Sequence, residues 1–161
     1  MRYYALQYLF KYRNNLYICS MKLTAKVRLY PSAEQEELLK ATLTEANAAC
    51  NEISFWAWNN KTFGQYKIHH GTYHTIKGSF NLSAQVIVRC IAKVCDSYKL
   101  DKKRLRQFKP LGSIAYDSRI LTWKFAGSPG DKQIVSIWTL DGRQKIAYKT
   151  GEHYQKLLQY Q

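Results

Sequence analysis

Residues 26–51 read KVRLYPSAEQEELLKATLTEANAACN, and this stretch decides how the fold begins. Residues 23–30 mix apolar and basic side chains in weak alternation, which predicts a strand that Pro31 ends. Ser32 and Gln35 have the three-residue spacing of a capping box, so a helix is predicted to begin directly after Ser32. Its apolar residues recur every three or four positions and predict one buried face, made of Leu39, Leu43, Ala46, Cys50, Ile53 and Ala57.

Two further helices are expected downstream. Residues 59–81 form a connector rich in Gly, Lys, His and Tyr, with a short predicted helix near Tyr73. A second clear helix is predicted from Leu82–Ser83 to about Tyr98, because its apolar residues again recur at helical spacing. They are Ile87, Ile91, Val94 and Tyr98.

The chain changes character after Pro110. Short strands are predicted at residues 113–116, 120–125, 134–138 and 144–148, and Asp141-Gly142 is a strong signal for a two-residue hairpin turn. The fold class is therefore predicted to be α+β. A small antiparallel β-barrel, formed by residues 21–31 and 110–152, is interrupted by an inserted helical lobe at residues 32–109.

Residues 1–20 are interpreted separately. They carry three basic side chains and no acid, and a short apolar stretch follows the charged start. This arrangement imitates a signal peptide, but no small-residue cleavage site follows it. Met21 is therefore taken as the natural start, and residues 1–20 as a mis-assigned upstream extension or a disordered basic arm.

Composition favours a polyanionic partner. Lys and Arg number 25 against 11 Asp and Glu, which gives a formal net charge of +14. Such a charge attracts nucleic acid first and anionic membrane second. The longest apolar-looking run, residues 3–10, is far shorter than the ~20 residues of a membrane-spanning helix, so a membrane partner is not expected. The four cysteines form no CxxC pair, which indicates a reducing, cytoplasmic setting.

Five stretches carry a family resemblance, in the order KVRLYPSAEQEELLKATL, ACN at 49–51, YHTIKGSFNLSAQVIVRCIAKVCDSYK, SIAYDSRILTWKF and VSIWTLDGRQKIAYKTGEHYQ. Together they resemble the N-terminal half of TnpB, the transposon-encoded RNA-guided nucleases (putative transposases) related to type V CRISPR effectors. The resemblance implies a wedge β-barrel interrupted by a recognition lobe, which together bind guide RNA and read a short motif beside the DNA target. Family members continue into a nuclease fold with three separated acids and a zinc ribbon of CxxC pairs. Neither is found in this sequence, so no catalytic residue, cofactor or metal site is expected.

The matching region on the second clear helix supplies candidates for reading DNA. Ser83, Gln85 and Arg89 lie on its polar face, and Tyr73 and Lys77 come just before it. Gln can hydrogen-bond adenine through two atoms, and Arg can do so with guanine or bind a phosphate. The alternative is an ordinary solvated helix face.

Basic residues supply candidates for following a nucleic-acid backbone. Most lie in one run after the second clear helix, and the full set is Lys26, Arg28, Lys99, Lys102, Lys103, Arg104, Arg106 and Lys109. If about six phosphates were neutralised, affinity would fall by roughly three decades or more between low and moderate salt. Asn51 is a further candidate from the ACN motif. A simpler interpretation of Asn51 is a buried side chain that ties helix to strand by hydrogen bonds.

Catalysis and metal binding are not indicated. The acids lie in a helix first turn, on helix faces or in turns, where dipole, solvation and turn chemistry explain them. His69, His70 and His74 lack a nearby cysteine or carboxylate to complete a four-ligand set, and are interpreted as surface histidines.

The sequence thus predicts a truncated, cytoplasmic and nucleoid-associated TnpB-like protein. It is expected to bind guide RNA and double-stranded DNA next to a short motif, and not to cut. Three alternatives stay open: one half of a split RNA-guided endonuclease completed by a separately encoded nuclease half, a decayed transposon remnant, and a basic protein- or membrane-interaction module.

Overall fold

The computed structural model describes residues 4–9, 22–124 and 133–150. Along the chain these residues form β1 (Tyr4–Leu9), β2 (Lys22–Tyr30), α1 (Ala33–Asn59), α2 (Gln65–Ser79), α3 (Ala84–Leu100), β3 (Leu121–Lys124), β4 (Ile134–Thr139) and β5 (Gly142–Thr150). The predicted α+β class is confirmed. None of the helices in the described ranges is long and apolar enough to cross a membrane.

The first helix follows its sequence signals closely. The Ser32 hydroxyl accepts a hydrogen bond from the Gln35 backbone N–H at 3.2 Å, and the Gln35 side chain accepts one from the Ser32 N–H at 3.1 Å. This completes the capping box that the sequence predicts. The predicted apolar face is buried at every position except Leu39, which is half-buried.

The other two helices differ from prediction mainly in length. The helix predicted near Tyr73 is α2, which has 15 residues. Ser83 caps α3 by accepting a hydrogen bond from the Val86 N–H at 3.3 Å, and α3 ends at Leu100, two residues beyond Tyr98. The predicted apolar line of α3 is wholly buried and joins α1 and α2 in one hydrophobic core.

Two compact units divide the chain. The helical unit comprises Ser32–Thr122 and Ser136–Gln144, and the strand unit comprises Met1–Pro31, Trp123–Val135 and Lys145–Gln161. Residues 110–122, which the sequence analysis grouped with the strands, lie in the helical unit. The reason is that Ile114 and Ile120 are buried in the hydrophobic core formed by the three helices.

The strands pair in the order β1-β2-β5-β4-β3. β2 is antiparallel to β1, with Tyr4 opposite Val27, and antiparallel to β5, with Tyr30 opposite Ala147. Gly142 lies at the predicted hairpin turn with φ +78°, a conformation that glycine adopts without strain.

Three sequence expectations for the strands need correction. The described strands form an open sheet and not a closed barrel, because its edge strands, β1 and β3, do not pair with each other. Residues 113–116 form no strand, since Ile114 is drawn into the helical core. Residues 4–9, for which the sequence analysis predicted no element, form β1.

Candidate nucleic-acid interface

The chain that follows α3, residues 101–117, is called the linker segment below, and its residues 106–112 lie along α1. Ser54 donates a hydrogen bond to the Arg106 carbonyl at 2.6 Å. Three residues earlier in α1, Asn51 donates to the Phe108 carbonyl at 3.1 Å and accepts from the Phe108 N–H at 2.8 Å. Four residues earlier again, Asn47 donates to the carbonyls of Pro110 (3.0 Å) and Gly112 (2.8 Å).

The spacing of these bonds explains why one helix can hold an extended chain. Three or four helical residues rise about 5 Å, and two extended residues rise about 6.6 Å, so the two repeats nearly match. As α1 is followed backwards from Ser54 to Asn47, the linker segment advances from Arg106 to Gly112. The linker segment is therefore antiparallel to α1 and is held by its backbone.

The polar face of α3 contacts the same segment. Lys93 donates to the Asn47 side-chain oxygen at 2.5 Å, and its ammonium lies 4.8 Å from the centre of the Phe108 ring. Arg89 donates through Nε to the Ala115 carbonyl at 3.4 Å, and Gln85 donates through Nε2 to the Asp117 carboxylate. Gln85 and Arg89, two of the five predicted DNA-reading residues, thus make hydrogen bonds within the chain.

The remaining candidates near α3 also have structural contacts. Ser83 is the N-cap of α3. The Lys77 ammonium donates to the Leu82 carbonyl at 2.8 Å. Tyr73 is half-buried and stacks on His69, with ring centres 4.9 Å apart and an interplanar angle of 16°. The structure brings Gln85 and Arg89 to the linker segment, and gives the other three local roles around α2 and the start of α3.

Ion pairs engage half of the basic run. Lys99 pairs with Asp96 at 2.7 Å, and this hydrogen bond raises the pKa of Lys99. Asp101 pairs with Arg104 at 2.9 Å and with Arg106 at 3.2 Å. The pKa of Asp101 is lowered, first by a hydrogen bond from a backbone N–H two residues on and then by the two guanidinium groups. Each of these three cations is therefore already paired with a carboxylate of the same chain.

The other half of the run faces solvent. Lys102, Lys103 and Lys109 are exposed, and none forms an ion pair with a residue in the described ranges. Arg104, although paired, keeps 75 % of its side chain exposed, whereas Arg106 keeps 25 %. Four cations of the linker segment are thus open to a polyanion.

The strand unit contributes two exposed candidates of its own. Lys26 and Arg28 are two residues apart on β2 and flank the buried Val27, so they lie on the same, outward face. The Arg28 guanidinium lies 5.2 Å from the centre of the Tyr30 ring.

Asn47 and Lys93 were not predicted from the sequence as residues of this site. Asn47 is fully buried and joins α1, α3 and the linker segment through its one amide. The available signal was the polar line of Asn47, Asn51 and Ser54, which runs beside the apolar stripe at spacings of four and three. Asn51 ties α1 to the linker backbone at Phe108, but its side chain is exposed and Phe108 is not in a strand, so the buried helix-to-strand tie of the simpler interpretation is not what the structure has.

The histidines and cysteines form no metal centre in the part of the chain described. No group of three or more His, Cys, Asp and Glu side chains among those residues is arranged to hold an ion. Cys50 and Cys90 are buried where α1 meets α3. The neighbouring Cys50 thiol and burial together raise the pKa of Cys90.

Comparison with known proteins gives no relative. No protein-family model matches the chain, and neither a curated protein nor a solved structure matches it.

Proposed function

We propose that this chain binds nucleic acid without cutting it, with RNA lying along the exposed cations of the linker segment. One observation carries the proposal: α1 fixes the backbone of this segment from Arg106 to Gly112, and within or just before that stretch Lys102, Lys103, Arg104 and Lys109 are exposed. Cations on a fixed backbone lose less conformational entropy on binding than cations on a free chain. The formal net charge of +14 favours the same class of partner.

The ion pairs lower the number of phosphates that this segment is expected to neutralise. Lys99, Arg104 and Arg106 already contact carboxylates, so the unpaired lysines are the main phosphate ligands. For single-stranded RNA, three contacts give a slope of log K against log salt of about −2. Affinity then falls about 20-fold for a fourfold rise in salt, whereas six contacts give about 300-fold.

Duplex DNA is proposed as a second ligand, on the polar face of α3. This part rests on the TnpB resemblance, which implies a recognition lobe that reads a motif beside the DNA target. For Gln85 to read a base, its hydrogen bond to Asp117 must be replaced by one to a base edge. For Arg89, the hydrogen bond to the Ala115 carbonyl must be replaced in the same way. In this proposal the open sheet takes the place of the wedge barrel, with Lys26 and Arg28 on β2 as ligands of the nucleic-acid backbone. Guide RNA as the RNA ligand and nucleoid association belong to the same proposal, whereas a separately encoded nuclease half belongs to the alternative of a split endonuclease.

The first experiment measures RNA binding against salt for the full chain. Single-stranded RNA is titrated at about 50 and about 200 mM salt, and RNA that co-purifies from cells expressing the gene with its flanking DNA is sequenced. The triple variant K102Q/K103Q/K109Q is expected to lose most of the salt dependence. The matched control K40Q/K61Q/K67Q changes the net charge equally at lysines on α1, α2 and the turn between them.

The outcomes separate the proposal from its alternatives. Equal losses of RNA affinity in the two triple variants show that only net charge matters, and contradict the assignment of RNA binding to the linker segment. Binding to anionic vesicles with no affinity for RNA supports the basic membrane-interaction module instead. A discrete transcript from beside the gene supports guide binding, and random host RNA contradicts it.

A further inference from the structure

An open groove runs between α1 and the linker segment. Its volume is about 480 Å³, within the usual range for small-ligand sites. The groove is lined on the α1 side by Glu52 and Phe55, and on the linker side by Arg106, Gln107 and Phe108, among others. All of these residues belong to the helical unit.

Phe55 is the unusual residue of this groove. Phe55 is 56 % exposed, whereas the other large apolar residues of α1 are buried or half-buried. A second groove of about 250 Å³ lies on the α2 side, and Phe55 and Glu52 line both. The Phe55 ring therefore lies between the two grooves and exposes an aromatic surface on which a flat ligand can stack.

The polar groups of the groove suit the edge of a base. Neither the Glu52 carboxylate nor the Gln107 side-chain amide makes a hydrogen bond to another described residue. A carboxylate accepts from exocyclic amino groups, and an amide can both donate and accept. Asn51, in contrast, uses both side-chain polar atoms on the Phe108 backbone, which fixes that side of the groove.

Cations flank the groove along the chain. Arg104 comes just before the lining residues of the linker segment and Lys109 just after them, and both are exposed. An extended chain covers about 16 Å between these two positions. This spacing allows phosphates on both sides of a nucleotide to meet positive charge while its base enters the groove. An apolar peptide or a second copy of this cationic chain gains nothing from these charges.

We propose that the groove binds one unpaired base of a single-stranded RNA, stacked on Phe55, with the adjoining phosphates near Arg104 and Lys109. This inference rests on the proposed RNA binding and names the subsite for the base. Stacking on an aromatic side chain tolerates all four bases, so the subsite contributes affinity more than sequence choice. Glu52 and Gln107 add hydrogen bonds to the base edge.

The test compares two ligands on the full chain. One is a fluorescently labelled oligoadenylate, and the other is an abasic oligonucleotide of equal length, which keeps the phosphates and lacks the bases. F55A is expected to weaken oligoadenylate binding about 5- to 150-fold and to leave abasic binding unchanged. F55Y keeps an aromatic ring and is the matched control, expected to bind like the original chain. Circular dichroism checks that both variants fold, as expected for a side chain this exposed.

Each other outcome overturns the inference. Equal affinity of F55A and the original chain for oligoadenylate removes the stacking role. If F55A loses affinity equally for oligoadenylate and for the abasic oligonucleotide, Phe55 acts by supporting the structure and not by contacting a base. A change in oligomeric state by size-exclusion chromatography, with RNA affinity intact, identifies a second copy as the occupant. No binding of the original chain to either ligand refutes the proposed function as well, which keeps the two failures distinguishable.

Discussion

Replacing Asn47 by alanine tests how the linker segment is held. The Asn47 amide donates to the Pro110 and Gly112 carbonyls and accepts a hydrogen bond from the Lys93 ammonium. N47A removes the two N–H donors that the Pro110, Gly112 and Leu43 carbonyls share, worth about 1–3 kcal/mol together, and one bond to a charged group, worth about 1.5–3 kcal/mol. Pro110 is exposed and Lys93 is half-buried, so water replaces part of the loss. We therefore expect the free energy of unfolding to fall by about 3 kcal/mol.

Two measurements follow this change. Urea denaturation monitored by circular dichroism gives the free energy of unfolding, and a loss of about 3 kcal/mol corresponds to a fall in Tm of about 6–12 °C for a chain of this size. Limited trypsin digestion reports the linker segment itself, because Lys102, Lys103 and Arg104 are cleavage sites within it. N47A is expected to speed cleavage there, since a released backbone enters the protease more easily.

Asn51 provides the matched control. It also makes two hydrogen bonds to the linker backbone, but its side chain is exposed and bonds to no charged group among the residues that the structure describes. N51A should therefore cost only about 1 kcal/mol. An N47A loss no larger than that of N51A, or unchanged trypsin cleavage in N47A, would refute the view that buried Asn47 is the main tie.

Three further predictions concern other parts of the helical unit. A Cβ at Gly71 falls 2.1 Å from the Trp56 ring, so G71A is expected to lower the free energy of unfolding by about 1–3 kcal/mol. The higher helix propensity of alanine offsets part of this loss. A Cβ added at Gly78 meets no atom within 4 Å, so G78A in the same helix should leave the free energy of unfolding unchanged or raise it in urea denaturation. The pKa of Asp101 is lowered in the folded chain, so its ionised carboxylate stabilises the fold at pH values above the ordinary aspartate pKa. This contribution is lost as the pH falls through the pKa that Asp101 has in the folded chain. D101N should thus flatten the acid side of a Tm-against-pH profile, and an unchanged profile contradicts the ion-pair role. Cys90 is buried with a raised pKa, so peptide mass spectrometry should find it unlabelled by a thiol reagent until urea unfolds the chain.

The helices were predictable because their signals are local. The Ser32 capping box and the repeating apolar line of α1 depend only on residues close in sequence, and the structure confirms both. The hairpin turn at Gly142 was equally clear, since it needs a positive φ at one position. Residues 113–116 were assigned wrongly because a β-rich pattern competes there with the burial of Ile114 in the helical core, which is a tertiary effect.

The candidate interface was less predictable than the fold. The basic run is visible as composition, but its ion pairs with Asp96 and Asp101 depend on where α3 ends and how the chain turns. The contacts of Gln85 and Arg89 join residues 32 and 26 positions apart, and no spacing rule reports such pairs. Helical periodicity identified the polar face of α3 without showing that another part of the chain covers it.

One contact in the helical unit bears on the order in which the protein is made. The Leu140 backbone N–H donates to the Thr42 hydroxyl at 3.1 Å, across a separation of 98 residues. At about 5–20 residues per second, a ribosome takes about 5–20 s to synthesise that interval. During this time α1 must persist on contacts with α2, α3 and the linker segment, which are synthesised before Leu140, while the Thr42 hydroxyl donates to the Leu38 carbonyl of its own helix. The three helices therefore form the part of the chain that can fold first during translation, and the β4–β5 hairpin tip docks last.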